Sequence, residues 1–234
     1  MTPLSSIFIL ITAFLTAVLS GIFGMAGGLV LMGALALVLP VSAAFATHGI
    51  LQIVANGWRA WLHRRHVAWR IVGVYAVASI AAGVVVWMLA LLPSKPVLFL
   101  LLGLVPMLVW LPQNWISLDA SRPAHAFISG FLVTALNLSA GVAGPLLDIF
   151  FMRTSLDRHQ IVATKAATQV FSHGAKVAVY GLPLLIGPLT GSRASLPPLW
   201  LFALAIPLSM AGTAVGGMVL DAVLPRMNAF GRIA

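Results

Sequence analysis

His48, Gln52 and Asn56 stand four residues apart in an otherwise apolar run, with Arg59 three residues further on. On a helix that spacing puts all four side chains on one face. Lys165, Gln169, His173 and Lys176 repeat the spacing 117 residues later. Amide and imidazole N–H groups beside fixed cations make a surface rich in donors, and its natural guest is a small anion. His48 and His173 are also candidate proton carriers. So is Asp148, which lies alone inside an apolar run; pairing with Lys165 and solvation at the end of a segment are its other possible roles.

What must hold such groups is set by composition. Of the 234 residues, 61% are hydrophobic and 7% charged, and the mean hydropathy is +1.08. A soluble domain carries roughly a quarter charged residues, so most of this surface must face lipid, and the chain reads as an all-α integral membrane protein. The 13 Lys+Arg against 4 acids fall mainly in short breaks between apolar runs, as in cytoplasmic loops; nucleic acid is not an expected partner. Cys and Glu are absent, and no HExxH, GxSxG or Walker sequence occurs. Neither an enzyme, nor a metal or cofactor site, nor an ATP-driven pump is therefore expected. No charge precedes Arg59, so a signal peptide's basic region is missing and the N-terminal segment is expected to remain as structure.

Two segments are too long and too broken for single spans. GIFGMAGG, Gly21 to Gly28, interrupts 5–40, and NLSAGVAGP, Asn137 to Pro145, interrupts 125–152. Gly clusters break helices, and Pro helps, so each segment is expected to form a hairpin of two pieces of about 15 residues, re-entrant or fully spanning. Backbone freed at such a break survives at membrane depth only when buried in protein or lining a wet cavity.

The breaks belong to an internal repeat. Sliding the chain by 117 residues sets 13–60 on 130–177 without a gap. Gly24 then matches Gly141, Gly27 Gly144, Thr47 Thr164, Gln52 Gln169 and Gly57 Gly174, among twelve identities. The expected organisation is a first repeat over 1–118, with hairpin 5–40 and helices 43–62, 69–92 and 96–112. A second repeat follows over 119–234, with hairpin 125–152 and helices 158–180 and 197–221. That gives about seven to eight membrane segments, with a further span in 181–196 left open. Counting crossings inverts the second repeat relative to the first. It also gathers Arg59, Arg64, Arg65, Arg70, Arg122, Arg153, Arg158, Arg226 and Arg232 on or near one face, against Lys95 and Arg193 on the other, a positive-inside bias.

Inverted repeats with discontinuous helices are a transporter architecture, and the breaks mark the substrate site. Half-helices opening at Gly24, Gly27 and Gly28 and at Gly141 and Gly144 would aim N–H groups and positive dipole ends at an anion. Thr47, His48, Gln52, Asn56, Asn137, Thr164, Lys165, Gln169 and His173 would complete the site. The competing reading is that the glycines permit close helix packing, the polar stripes bond helix to helix, and Arg59 and Lys176 snorkel to the interfaces.

With Gly-rich breaks early in each half, followed by AFATHG and IVATKA, the chain resembles the TauE/SafE sulfite exporter family, also called TSUP permeases. The likeness covers nearly the whole chain. It implies a bacterial inner-membrane permease for sulfite, organosulfonates, sulfoacetate or related anions, and its pattern falls on Gly24, Gly27, Gly28 and Thr47 and on Gly141, Gly144 and Thr164. Pro145 departs from it where the first half has Gly28. Lipids, a small anion, protons as coupling ion and a second copy of the chain are the expected partners. A transporter or channel for a carboxylate or metal cation, and a scaffold subunit without transport, remain as alternatives.

Overall fold

The computed structural model describes residues 1–23, 26–110, 118–186 and 196–230, and among these it is helical with no strand. The helices are α1 Pro3–Phe23, α2 Ala26–Val38, α3 Val41–Leu62, α4 Trp69–Met88, α5 Lys95–Leu104, α6 Pro123–Ala140, α7 Gly144–Phe151, α8 Arg158–Lys176, α9 Leu182–Ile186 and α10 Leu199–Phe230. A 3₁₀ stretch, Val105–Trp110, prolongs α5, and a π turn, Val177–Gly181, joins α8 to α9. Pro falls at the start of α5, α6 and α7, where its missing N–H costs nothing. Asp157 caps α8 by accepting from the Gln160 N–H at 2.9 Å, while the Gln160 side chain accepts from the Asp157 N–H, a reciprocal box that fixes where the helix begins.

Each segment expected to be a hairpin holds two helices of unequal length. The expected pairs of half-helices are replaced by one long and one short member: α1 with 21 residues before α2 with 13, and α6 with 18 before α7 with 8. Between the first pair, residues 24–25 lie outside the described residues. At the second, Gly141 ends α6 in the left-handed region, φ 81, which an L side chain resists.

Four stretches are long and apolar enough to cross a bilayer: Pro3–Ile22, Trp69–Met88, Pro123–Ala140 and Leu199–Val219. The sequence suggested about seven to eight segments. Ala26–Val38 and Lys95–Trp110 are apolar but shorter, whereas α3 and α8 have the length and too many polar residues. Packing explains how that is tolerated. The α1 helix packs against α10, α4 against α6, and α3 against α8, with α4 and α10 also touching α8 and α3. The polar pair is thus wrapped by apolar helices whose outer faces expose Leu4, Ile11, Leu15, Ile80, Val84 and Leu204.

Two seams between apolar helices depend on small residues. A Cβ on Gly212 would stand 2.6 Å from the Phe14 carbonyl oxygen, and one on Gly216 would meet the Val18 carbonyl. Across the other seam, a Cβ on Gly130 would stand 2.6 Å from the Tyr75 carbonyl oxygen, and Thr134 Oγ1 donates to Ser79 Oγ at 2.9 Å. Apolar side chains gain little by leaving lipid for one another, so backbone approach and buried hydroxyl bonds hold such seams together.

Candidate functional site

Where α3 and α8 meet the two hairpins, a cavity of about 30 Å³ is lined by Gly28 and Leu29 of α2, His48, Gln52, Asn56 and Arg59 of α3, Gln169 and His173 of α8, and Ser20, Asn137, Val142, Ala143 and Gly144 from the hairpins. The two stripes read from the sequence therefore converge on one space. In this conformation it is the size of a single water; an anion of several heavy atoms needs the walls to part. A larger recess of about 560 Å³ between α4 and α8 is lined almost wholly by apolar groups, such as Ile80, Val84, Trp87 and Phe171, and offers an anion nothing.

The polar network holds the walls in register. Asn56 Nδ2 donates to the Gln52 carbonyl at 3.0 Å and to Gln52 Oε1 at 3.1 Å, leaving the Gln52 Nε2–H groups free of that pair and close to Gly28, where a Cβ would come within 2.8 Å of Nε2. Asn137 Nδ2 donates to Ser172 Oγ at 2.9 Å and approaches His173 Nδ1 at 3.4 Å. Its Oδ1 is buried without a protein partner. The His48 and His173 rings meet edge to face, with centroids 5.3 Å apart.

The cation that closes each stripe, Arg59 in one and Lys176 in the other, turns inward onto a helix end. Arg59 Nη2 donates to the Ser20 carbonyl at 3.1 Å, in the last turn of α1. Lys176 Nζ donates to the Gly141 carbonyl at 2.6 Å, the C-cap of α6. Carbonyls there lack helical partners and carry the negative end of the dipole, so a cation is at home beside them. Lys176 is 0% exposed, which overturns snorkelling for this residue. Its Nζ lies 3.2 Å from His48 Nδ1 and 5.1 Å from the centre of the Phe45 ring. Sequence reasoning matched it to Arg59 on the polar stripe and kept snorkelling as the competing reading; its three-residue step from His173 was the signal that it belongs inside.

Other expected site residues lie elsewhere. Lys165 pairs with Asp148, with 20% and 43% of the two side chains exposed, so neither lines the cavity; a partly exposed carboxylate within reach outcompetes the interior for the ammonium. Thr164 Oγ1 accepts from the Ala68 N–H at 2.9 Å and ties α8 to the start of α4. Thr47 is fully buried and outside the cavity lining. Gly27 is pressed against Thr16 and Ser20 of α1, a packing role. Gly141 faces Met32 and acts through its carbonyl, while Gly144 joins the lining. Gly24 falls outside the described residues.

A membrane chain with two interrupted hairpins closing on a donor-rich cavity is now in view. The family description Sulfite exporter TauE/SafE matches residues 9–232. The chain belongs to this family. TauE/SafE members are membrane transporters rather than enzymes, in accord with several membrane-capable helices. No curated protein and no solved structure was found to match the chain.

Proposed function

We propose that this TauE/SafE member is a secondary permease of the bacterial inner membrane that moves a small sulfur oxyanion, sulfite or an organosulfonate, through the cavity between its two hairpins. One observation carries the reading: amide and imidazole groups from both halves, Gln52 and Asn56 with His48, Gln169 and Asn137 with His173, line one space together with the Arg59 guanidinium. Buried donors and a fixed cation bind oxyanions by charge-assisted hydrogen bonds, and guanidinium suits a planar or forked pair of oxygens. The walls then part alternately toward either face.

An inverted pair of repeats over 1–118 and 119–234 is the architecture that fits. Support comes from the pairing of α1 with α10, α6 with α4 and α3 with α8, in which each half's first helix packs on the last long helix of the other. Arg59 and Lys176, equivalent in the repeat, each hold the C-terminal end of their hairpin's long arm. On this topology the Arg-rich loops face the cytoplasm, and exposed Trp61, Trp69, Trp87 and Trp200 lie at interfaces as aromatic anchors.

Flux into proteoliposomes tests it, with sulfite, taurine, sulfoacetate, lactate and a divalent metal as substrates. Sulfur anions should be carried and Gln52→Ala with Gln169→Ala should each reduce the flux by tenfold or more, about 1.4 kcal/mol of lost binding. Preference for lactate or metal would reassign the substrate. Absence of any flux from purified protein would favour a scaffold.

A further inference from the structure

Lys176 and His48 come from different halves of the chain and meet with their nitrogens 3.2 Å apart. The remaining contacts fix the hydrogens. His48 Nε2 lies 2.9 Å from the Gly28 carbonyl, and a carbonyl only accepts, so Nε2 carries its hydrogen. In a neutral ring Nδ1 is then the acceptor. Lys176 Nζ must donate to it, as it donates to the Gly141 carbonyl at 2.6 Å. An ammonium has three hydrogens and an amine two. Loss of one proton therefore leaves both acceptors satisfied, and the third hydrogen, over the Phe45 ring at 5.1 Å, is the one that can go. The pair can change charge without dismantling the bonds that hold α2, α3, α6 and α8 together.

We propose that Lys176 Nζ and His48 Nδ1 form a proton-binding site coupled to the anion cavity, so that anion and proton occupy the protein together and cross in the same direction. The inference rests on the anion reading given above. Electrostatics sets the sign. His48 lines the cavity that Lys176 backs, so the protonated pair adds a positive charge behind the anion and the deprotonated pair adds none. Each ligand then strengthens the other by the same factor. The other groups around the pair are His173 of α8, whose ring is 5.3 Å from that of His48, Arg59 on the shared cavity wall, and Tyr180 of the π turn, edge to face with Phe45. Among the described residues no carboxylate lies within salt-bridge distance of Lys176: Asp148 is held by Lys165 and Asp119 lies near Arg122, while Asp157 caps α8. The proton leaves to water on whichever side the cavity opens, and the step breaks no other bond.

The test is binding of methanesulfonate, whose sulfonate stays ionised across the range, to full-length protein in detergent. Affinity is followed from acidic to alkaline buffer, and proton uptake is measured in weak buffer. Wild type should bind more weakly at alkaline pH by roughly 5- to 150-fold, the usual range of coupling between sites, and should take up protons on binding. Lys176→Met should bind as weakly as alkaline wild type at every pH, with no uptake. His48→Gln, whose amide can keep both the Gly28 and Lys176 contacts, serves if the first variant does not fold, and should shift the pH midpoint. Binding by wild type that is independent of pH overturns the coupling alone. Uptake that survives in folded Lys176→Met, or a midpoint unmoved in His48→Gln, also overturns it. No binding at any pH overturns the anion reading and this inference with it.

Discussion

The two hairpin breaks solve one problem with different residues. At each, a carbonyl near the end of the long arm takes a cation from the following polar helix: Arg59 on the Ser20 carbonyl, Lys176 on the Gly141 carbonyl. Arg59 is half-buried and its guanidinium stays charged at any accessible pH. Lys176 is wholly enclosed and shares its hydrogens with an imidazole. One break therefore carries a permanent charge and the other a removable one. Positions 59 and 176 correspond in the proposed repeat, and their different residue types separate their roles.

Substitutions at the two cations test that division most severely. Arg59→Met should lower sulfite flux at every pH by about 2 kcal/mol or more, the loss typical of a buried hydrogen-bonded charge, or roughly thirtyfold. Lys176→Met should match that loss only in acidic buffer and converge on wild type in alkaline buffer. Parallel pH profiles for the two variants would erase the distinction between the breaks.

Glycine substitutions come next. Gly141→Ala forces a side chain into the left-handed region, at a cost of about 1–2 kcal/mol, and sets a Cβ 2.9 Å from Met32 Cγ. Its melting temperature in detergent should fall. Gly28→Ala instead meets the mobile end of Gln52, 2.8 Å away; affinity for the anion should drop while melting changes little. An equal loss of stability in both would mean that Gly28, too, serves the backbone.

A smaller effect separates cavity from rim. Lys165→Ala removes a partly exposed ion pair, worth about 0–1 kcal/mol, and should retain most of the flux that Gln169→Ala loses. Abolition of flux in Lys165→Ala would return that ammonium to the site. Smallest of all is the cap of α8. Hydrogen bonding from the Gln160 N–H holds the exposed Asp157 carboxyl below its usual range. A carboxyl depressed in the folded state stabilises above its unfolded pKa, and that contribution fades as pH falls through the folded value. Asp157→Asn should therefore flatten the acid limb of a melting-temperature profile and leave the neutral region nearly unchanged.

Much of this was legible in residue order. Gly21 to Gly28 and Asn137 to Pro145 marked the breaks, and the four-residue spacing of His48, Gln52 and Asn56 and of Lys165, Gln169 and His173 marked two polar faces. Five of those six side chains line the cavity. Lys165 does not, because spacing gives the face of a helix but not which neighbour lies across from it. Near its own end of α8, Asp148 was the stronger partner. Thr47 and Thr164 carried the family likeness and serve no cavity surface; Thr164 holds the start of α4. A hydroxyl reads alike in sequence whether it meets a ligand or a backbone N–H.

Hydropathy and periodicity determined that the chain is helical, that its exterior faces lipid and that two polar helices recur, because those properties depend on side-chain type and on spacing along one helix. The unequal arms of the hairpins, the burial of Lys176 and its meeting with His48 across 128 positions of sequence were decided only by the tertiary structure. Whether an ammonium snorkels to water or is held inside depends on which carbonyls and ring nitrogens the packed helices bring within reach, and that choice is made between elements.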